Sequence, residues 1–203
     1  LAAGSLHVTG TRQLSAAGTV ELGAAGGSVT LGDAGTAAAV IRTDGSNVLV
    51  DAASDVMLGV IDARSPADRI GSLAEQAMWG DVAITAGGAV TDLMDDATVN
   101  VMARDLKLFV TGAVGEPGVG DPLETEIVSL AANVGGDLGL LESTAVAVGV
   151  IDTVLVNRVQ SDTSFGTTTD AGTLSWLTVG GHLVLQTLAG DLTVDAGMVG
   201  DEV

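Results

Sequence analysis

Short runs in which apolar and polar positions alternate recur along the whole chain. Leu6-His7-Val8, Val20-Glu21-Leu22, Val29-Thr30-Leu31, Val48-Leu49-Val50 and Val56-Met57-Leu58 begin the series. It continues through Val82-Ala83-Ile84, Val99-Asn100-Val101, Leu106-Lys107-Leu108, Leu138-Gly139-Leu140 and Val146-Ala147-Val148, and ends with Val154-Leu155-Val156, Leu183-Val184-Leu185 and Leu192-Thr193-Val194. Alternation over so few residues predicts short half-buried strands. Gly, Asp, Ser and Thr separate them, at about eight to ten residues from one start to the next. Several runs share a lead-in of Gly, a small or polar residue, then an aliphatic. Gly4-Ser5-Leu6, Gly27-Ser28-Val29, Gly80-Asp81-Val82, Gly136-Asp137-Leu138, Gly181-His182-Leu183 and Gly190-Asp191-Leu192 all follow it.

A longer period overlies the short one. Val56-Met57-Leu58-Gly59-Val60-Ile61-Asp62 recurs as Val146-Ala147-Val148-Gly149-Val150-Ile151-Asp152, about 90 residues on. Internal repetition of this kind points to a solenoid. Strands at this spacing also suit a sandwich. Sandwich strands run longer, however, and their hairpins favour Asn-Gly or Asp-Gly turns, of which only Asp44-Gly45 occurs. The pattern therefore predicts an all-β chain folded as a parallel β-helix, a β-solenoid occupying residues 1–203 as one segment. With ~20–25 residues per coil it would make roughly nine coils, about 40 Å long.

Two stretches break the rhythm. Ser65 to Trp79 reads as a short helical insertion near residues 66–79. Ser65 can cap it, Pro66 suits its first position, and Gly80 ends it. Ile70, Leu73, Ala74, Ala77 and Met78 would face the wall of the solenoid. Gln160 to Gly172 is polar and rich in Thr and Asp, and is expected to be an exposed loop and the better place to seek a contact surface.

Composition sharpens this picture. The chain is 47% hydrophobic but only 2% aromatic, so its interior must be built from small and branched aliphatics, which suits thin repeated layers. There are 26 acidic residues, 19 of them Asp, against 7 basic ones, for a net charge of −19. Such a charge repels phosphate backbones and argues against nucleic-acid binding. No apolar run reaches the ~18 residues a membrane span needs, so no membrane insertion is expected. The absence of Cys removes disulfides, thiolate metal sites and Cys nucleophiles. The chain starts at Leu1 without a signal peptide and is read as a fragment of a longer one.

Candidate chemistry is sparse. His7 and His182 lie in or beside strand triplets and read as surface histidines. Asp92, Asp95 and Asp96 form the one tight acidic group, which reads as a solvated turn; weak calcium binding there is left open. Lys107 and four aromatic residues offer little to hold a sugar. No catalytic, cofactor-binding or metal-ligating residues and no cofactor are assigned.

The stretch from Gly80 to Val148 is the most specific. Gly80-Asp81-Val82, Gly88-Ala89-Val90-Thr91-Asp92, Ala103-Arg104-Asp105-Leu106-Lys107-Leu108, Gly118-Val119-Gly120 and Pro122-Leu123-Glu124-Thr125 follow one another in order. This order resembles the repeats of giant bacterial surface proteins of the filamentous haemagglutinin and large adhesin kind. The resemblance implies a right-handed parallel β-helix on the cell exterior and carries no catalytic residues. The expected function is a non-enzymatic structural segment of a large secreted or cell-surface protein, acting as an adhesin stalk, surface filament or coat component. The alternatives are a carbohydrate-active β-helix enzyme (a polysaccharide lyase or hydrolase) and a calcium-stabilised adhesion module. Expected partners are neighbouring repeats of the same chain or copies of itself in a fibre, with a cell-surface or glycan receptor.

Overall fold

The computed structural model describes residues 2–70, 75–116, 120–160 and 162–195. They are nearly all β, and most strands pair in parallel in a nearly closed sheet of solenoid-like character. The chain visits three strand positions in fixed order and then repeats the circuit. Leu6–Val8, Val29–Asp33, Val56–Leu58, Val90–Asp92, Val114, Leu138–Glu142 and Leu183–Thr187 succeed one another on the first face. Gln13–Ala16, Val40–Thr43, Val60–Asp62 and the first halves of Val101–Val110 and Leu123–Val134 form the second. Val20–Ala24, Val48–Ala52, Val82–Ala86, the later halves of the same two long strands, and Leu177–Val179 form the third.

In-register parallel pairing places each side chain on its equivalent one circuit away. On the third face this produces the ladders Val20-Val48-Val82-Leu106-Leu130, Leu22-Val50-Ile84-Leu108-Ala132-Leu177 and Ala24-Ala52-Ala86-Val110-Val134-Val179. These residues form one continuous core with Val29, Leu31, Val56, Leu58, Val90, Val114 and Leu138 of the first face. The undisturbed circuit is 24 residues, the separation of Asn100 from Glu124. Intervals of 34 and 45 residues occur where the chain leaves the stack. The first face consequently has seven strand stations among the described residues, about 30 Å of stack, where roughly nine coils were expected. The residues missing from that count lie in the two excursions.

The shared lead-in has a physical role. At four of the first-face strands the residue before the strand caps its equivalent in the next circuit. Ser5 Oγ accepts from Ser28 N (3.2 Å), Ser28 Oγ from Asp55 N (3.3 Å), Asp55 Oδ1 from Ala89 N (2.9 Å) and Asp137 Oδ1 from His182 N (2.6 Å). Glycines later in the stack at this corner are fixed by space. A Cβ on Gly112 would stand 2.7 Å from the Gly88 carbonyl oxygen, and one on Gly136 would stand 2.9 Å from Ala113 N.

The two excursions differ from expectation. Between Ser65 and Trp79 the described residues form two three-residue 3₁₀ turns, Asp68–Ile70 and Gln76–Met78, and no α-helix is shown. Leu73 and Ala74 lie outside the described residues. Ile70 is 88% exposed and Met78 58% exposed, so these two do not pack on the wall. Polar anchors hold the segment instead. Trp79 is buried with its Nε1 donating to buried Asp68 Oδ2 (2.5 Å), and the Ser65 hydroxyl donates to Glu75 (2.8 Å) rather than capping a helix. The segment expected as a polar loop, Gln160 to Gly172, carries the strand Phe165–Thr169, which forms an antiparallel hairpin with Leu155–Val159, where a strand was expected. Its Thr-rich strand is β-branched, and that propensity prevails over its polarity.

The repeated heptapeptides adopt the same local shape at different stations. Val56–Leu58 and Val60–Asp62 flank Gly59, and Val146–Val148 and Val150–Ile151 flank Gly149. The first strand of the earlier copy lies on the first face, whereas Val146–Val148 pairs with Leu192–Val194 and Leu123–Val134. Each copy precedes one of the two excursions.

Gly112→Ala tests the close approach at the corner. Its new methyl meets backbone, which cannot swing aside, so the variant should lose about 1–3 kcal/mol of unfolding free energy in a urea titration. An Ala substitution at Gly4, which has open space around it, should leave the transition unmoved.

Candidate functional site

The residues singled out in the sequence are scattered. His7 is half-exposed on the first face, its Nε2 2.6 Å from the Gly32 carbonyl oxygen and 3.4 Å from Asp33 Oδ1. His182 is exposed and lies far along the stack, its backbone N–H bound to Asp137. Asp92 and Asp96 are spent on local capping. Asp92 Oδ1 accepts from Met94 N (3.1 Å) and Asn100 Nδ2 (2.7 Å), Asp92 Oδ2 from Asp96 N (3.4 Å), and Asp96 Oδ1 from Thr98 N (2.8 Å). Asp95 turns the chain with φ at +50°. Among the described residues no group of three or more His, Asp or Glu is arranged to hold a metal ion. Among them, too, no helix is long and apolar enough to cross a membrane.

Behind this turn sits a carboxyl that sequence reading missed. Glu124 is 7% exposed, and its Oε2 is buried with no hydrogen-bond partner among the described residues. Burial, then the charge of Asp92, and further those of Asp121 and Asp96 push it up to about 7. Asp81 is a second case. Burial and the neighbouring Asp105 raise it to about 6, although Arg104 donates to it at 2.7 Å. The sequence signals only that both are acids near strand starts; their surroundings come from the stacking of circuits.

Cations mark where the excursions are tied down. Asp62 is 1% exposed and gathers three guanidinium groups, with Arg64 Nε at 3.0 Å, Arg69 Nε at 3.2 Å and Arg42 Nε at 3.4 Å. Burial alone would raise its pKa, but hydrogen bonds and charge from Arg64, with Arg69 behind, hold it below the usual carboxylate range. Arg64 also reaches Glu126 (3.3 Å), and Arg69 reaches Asp44 (2.9 Å). This knot fastens the segment after Asp62 to three circuits.

The hairpin is fastened along the outside of the third face and forms an arm. At its foot Lys107, 4% exposed, meets buried Asp170 at 2.5 Å and donates to the carbonyls of Asp152 (2.9 Å) and Gly172. Leu49, Ala83, Val154 and Val156 make a separate apolar cluster beneath it. Farther out, Asn47 Nδ2 donates to Leu155 O (3.1 Å), Asn157 N donates to Thr19 Oγ1 (2.8 Å), and Arg158 pairs with Glu21. The arm leaves the stack near its last circuit and returns to the first. A cavity of about 60 Å³ at its foot, lined by Ala83, Thr85, Lys107, Phe109, Asp170 and Leu174, has room for about two water molecules. The arrangement orders and fastens surface segments.

Compared with family models, with curated proteins and with solved structures, the chain finds no match.

Lys107→Met should leave Asp170 buried without its cation and cost about 3–5 kcal/mol in equilibrium unfolding. Adding Asp170→Leu removes the unpaired charge but leaves the Asp152 and Gly172 carbonyls and the Val154 and Gly172 N–H groups without these partners, so it should recover only part of that loss. The raised carboxyls set a pH dependence. Glu124 and Asp81 hold protons in the folded chain that the unfolded chain releases at its ordinary carboxylate pKa values, 4.5 and 3.8, so stability is lost as pH rises through about 6 to 7. Asp62 acts oppositely, because its folded pKa lies below 3.8 and its contribution is lost as pH falls through that lower value. Thermal melts should peak at about pH 4, where Asp62 is ionised and Glu124 and Asp81 still hold their protons, and Glu124→Gln should flatten the decline between about pH 4.5 and 7.

Proposed function

We propose that the three strand columns are a right-handed parallel β-helix and that the chain is a non-enzymatic, load-bearing segment of a large bacterial surface protein of the filamentous haemagglutinin kind. The observation that carries this reading is the parallel, in-register succession of seven stations on one face, filled throughout by aliphatic ladders. Such a stack lengthens by repetition and resists bending, because backbone hydrogen bonds run along its axis. Strands at both ends of the columns are paired on one side only among the described residues, as Leu6–Val8 and Leu183–Thr187 illustrate. Leu192 is 44% and Val194 70% exposed on the last circuit. One-sided edges suit further coils, from the same chain or from another copy in a fibre. The acidic surface keeps such an assembly soluble.

Antibodies raised against the purified chain test the location. They should label the outside of intact cells of the source organism, and brief protease treatment of those cells should strip the label. Label confined to the cytoplasm would overturn the surface role.

A further inference from the structure

The arm's outer strand, Phe165–Thr169, has a partner on one side only among the described residues. Which backbone groups it leaves free follows from its neighbour. Antiparallel pairs alternate between residues that face one another with hydrogen bonds and residues that point outward. On the inner strand Asn157 N and the Leu155 carbonyl point away from the hairpin, to Thr19 and Asn47. Asp170 N donates to Val154 O (3.3 Å) and Gln160 N to Ser164 O (2.8 Å), which places the hairpin's own bonds on the alternate residues. Phe165, Thr167 and Thr169 therefore aim their N–H and C=O groups outward. All three are exposed, Phe165 by 77%, and no described residue bonds to those groups.

Exposed edges are normally blunted by Lys, Pro, inward charges or bulges. This one reads Phe-Gly-Thr-Thr-Thr and carries none of them. Its surroundings are anionic. Asp162 sits at the arm's tip, and Asp51 lines a groove of about 270 Å³ at its foot, with Leu49, Thr85, Thr169 and Asp170. Arg42, Arg64, Arg69, Arg104, Lys107 and Arg158 are all committed to carboxylates. A second copy is a poor occupant, since five residues of edge would bring together two bodies of net charge −19 over far less than the ~1,200 Å² of a stable interface.

We infer that the free edge of Phe165–Thr169 is a docking site for an extended, cationic polypeptide segment, which adds as a third strand to the arm. Main-chain bonds to Phe165, Thr167 and Thr169 supply affinity, and the acidic surroundings select positive side chains. This inference uses the arm's local geometry and stands apart from the stalk reading.

A synthetic seven-residue peptide with Lys at alternate positions and Val or Thr between them tests it, read by amide hydrogen exchange in the intact chain. The amides of Phe165, Thr167 and Thr169 should become protected at least tenfold, less so as salt is raised. The same peptide with Glu for Lys should protect none of them. Thr167→Pro removes an outward N–H without touching the hairpin's own bonds, so it should abolish protection at Phe165 and Thr169 while Gly166 and Thr168 stay slow to exchange. Thr167→Lys, which keeps the N–H and adds a repelling charge, should weaken binding about tenfold and serves if the proline variant loses its hairpin. No protection in the unmodified chain, equal protection by the Glu peptide, or undiminished binding by both variants would each overturn the proposal. So would concentration-dependent protection without peptide, accompanied by dimers in sedimentation, because it gives the edge to a second copy.

Discussion

Parallel pairing in register obliges every residue to lie on its own equivalent one circuit away, and most of what is unusual about this chain follows from that obligation. An inward aliphatic stacks on an aliphatic, so the interior is assembled in thin layers and large rings have few stations to fill. Two of the four aromatics, Phe109 and Phe165, are among the exposed side chains, and Trp79 is buried in an excursion instead of the ladders. At the corners the same obligation brings backbone against backbone. That is why Gly88, Gly112 and Gly136 succeed one another at 24-residue steps and why Ser5, Ser28 and Asp55 each cap the circuit that follows.

The few cations are distributed by the same logic. Within the ladders an inward charge would lie on a like residue, so most charge pairs gather where the chain departs from the stack, with Arg104 between Asp81 and Asp105 the exception. Asp62 gathers Arg42, Arg64 and Arg69 where one excursion begins, and Lys107 and Arg158 hold the arm at its foot and near its tip. In a chain with 26 acids, leaving so few cations free makes the solvent-facing surface almost uniformly negative.

Legibility in the sequence followed the range of the interactions. Strand positions were readable because period-two alternation is local: Val48-Leu49-Val50 and Leu138-Gly139-Leu140 lie in strands as expected. The lead-in glycines were readable too, since each marks a tight corner. The helix expected after Ser65 is not shown, because cap, Pro and apolar spacing are signals of an isolated helix, whereas the Trp79–Asp68 bond within the segment and the Asp62 knot, which reaches Arg42 and through Arg64 Glu126 on other circuits, hold it. The hairpin's outer strand, Phe165–Thr169, was read as a loop because its polarity was weighed above its β-branching, whereas its inner strand overlaps the triplet Val154-Leu155-Val156 that was expected. Glu124 and Asp170 gave no signal at all, since burial beside a residue distant in sequence, Asp92 for the one and Lys107 for the other, is what makes each unusual.

The arm changes how the stack would respond to tension. Without it, circuits could peel from either end one at a time, each loss exposing only its own layer. With Arg158 fixed at Glu21 and Lys107 at Asp170, the first and fourth circuits are bridged from outside by a length of chain fastened at each end by an ion pair. A pull along the axis is then shared between ladder and brace, and circuits beneath the brace cannot part in sequence until one of its fastenings breaks. Rupture becomes a single concerted event in place of a staircase, which is a property of a strut more than of a spring.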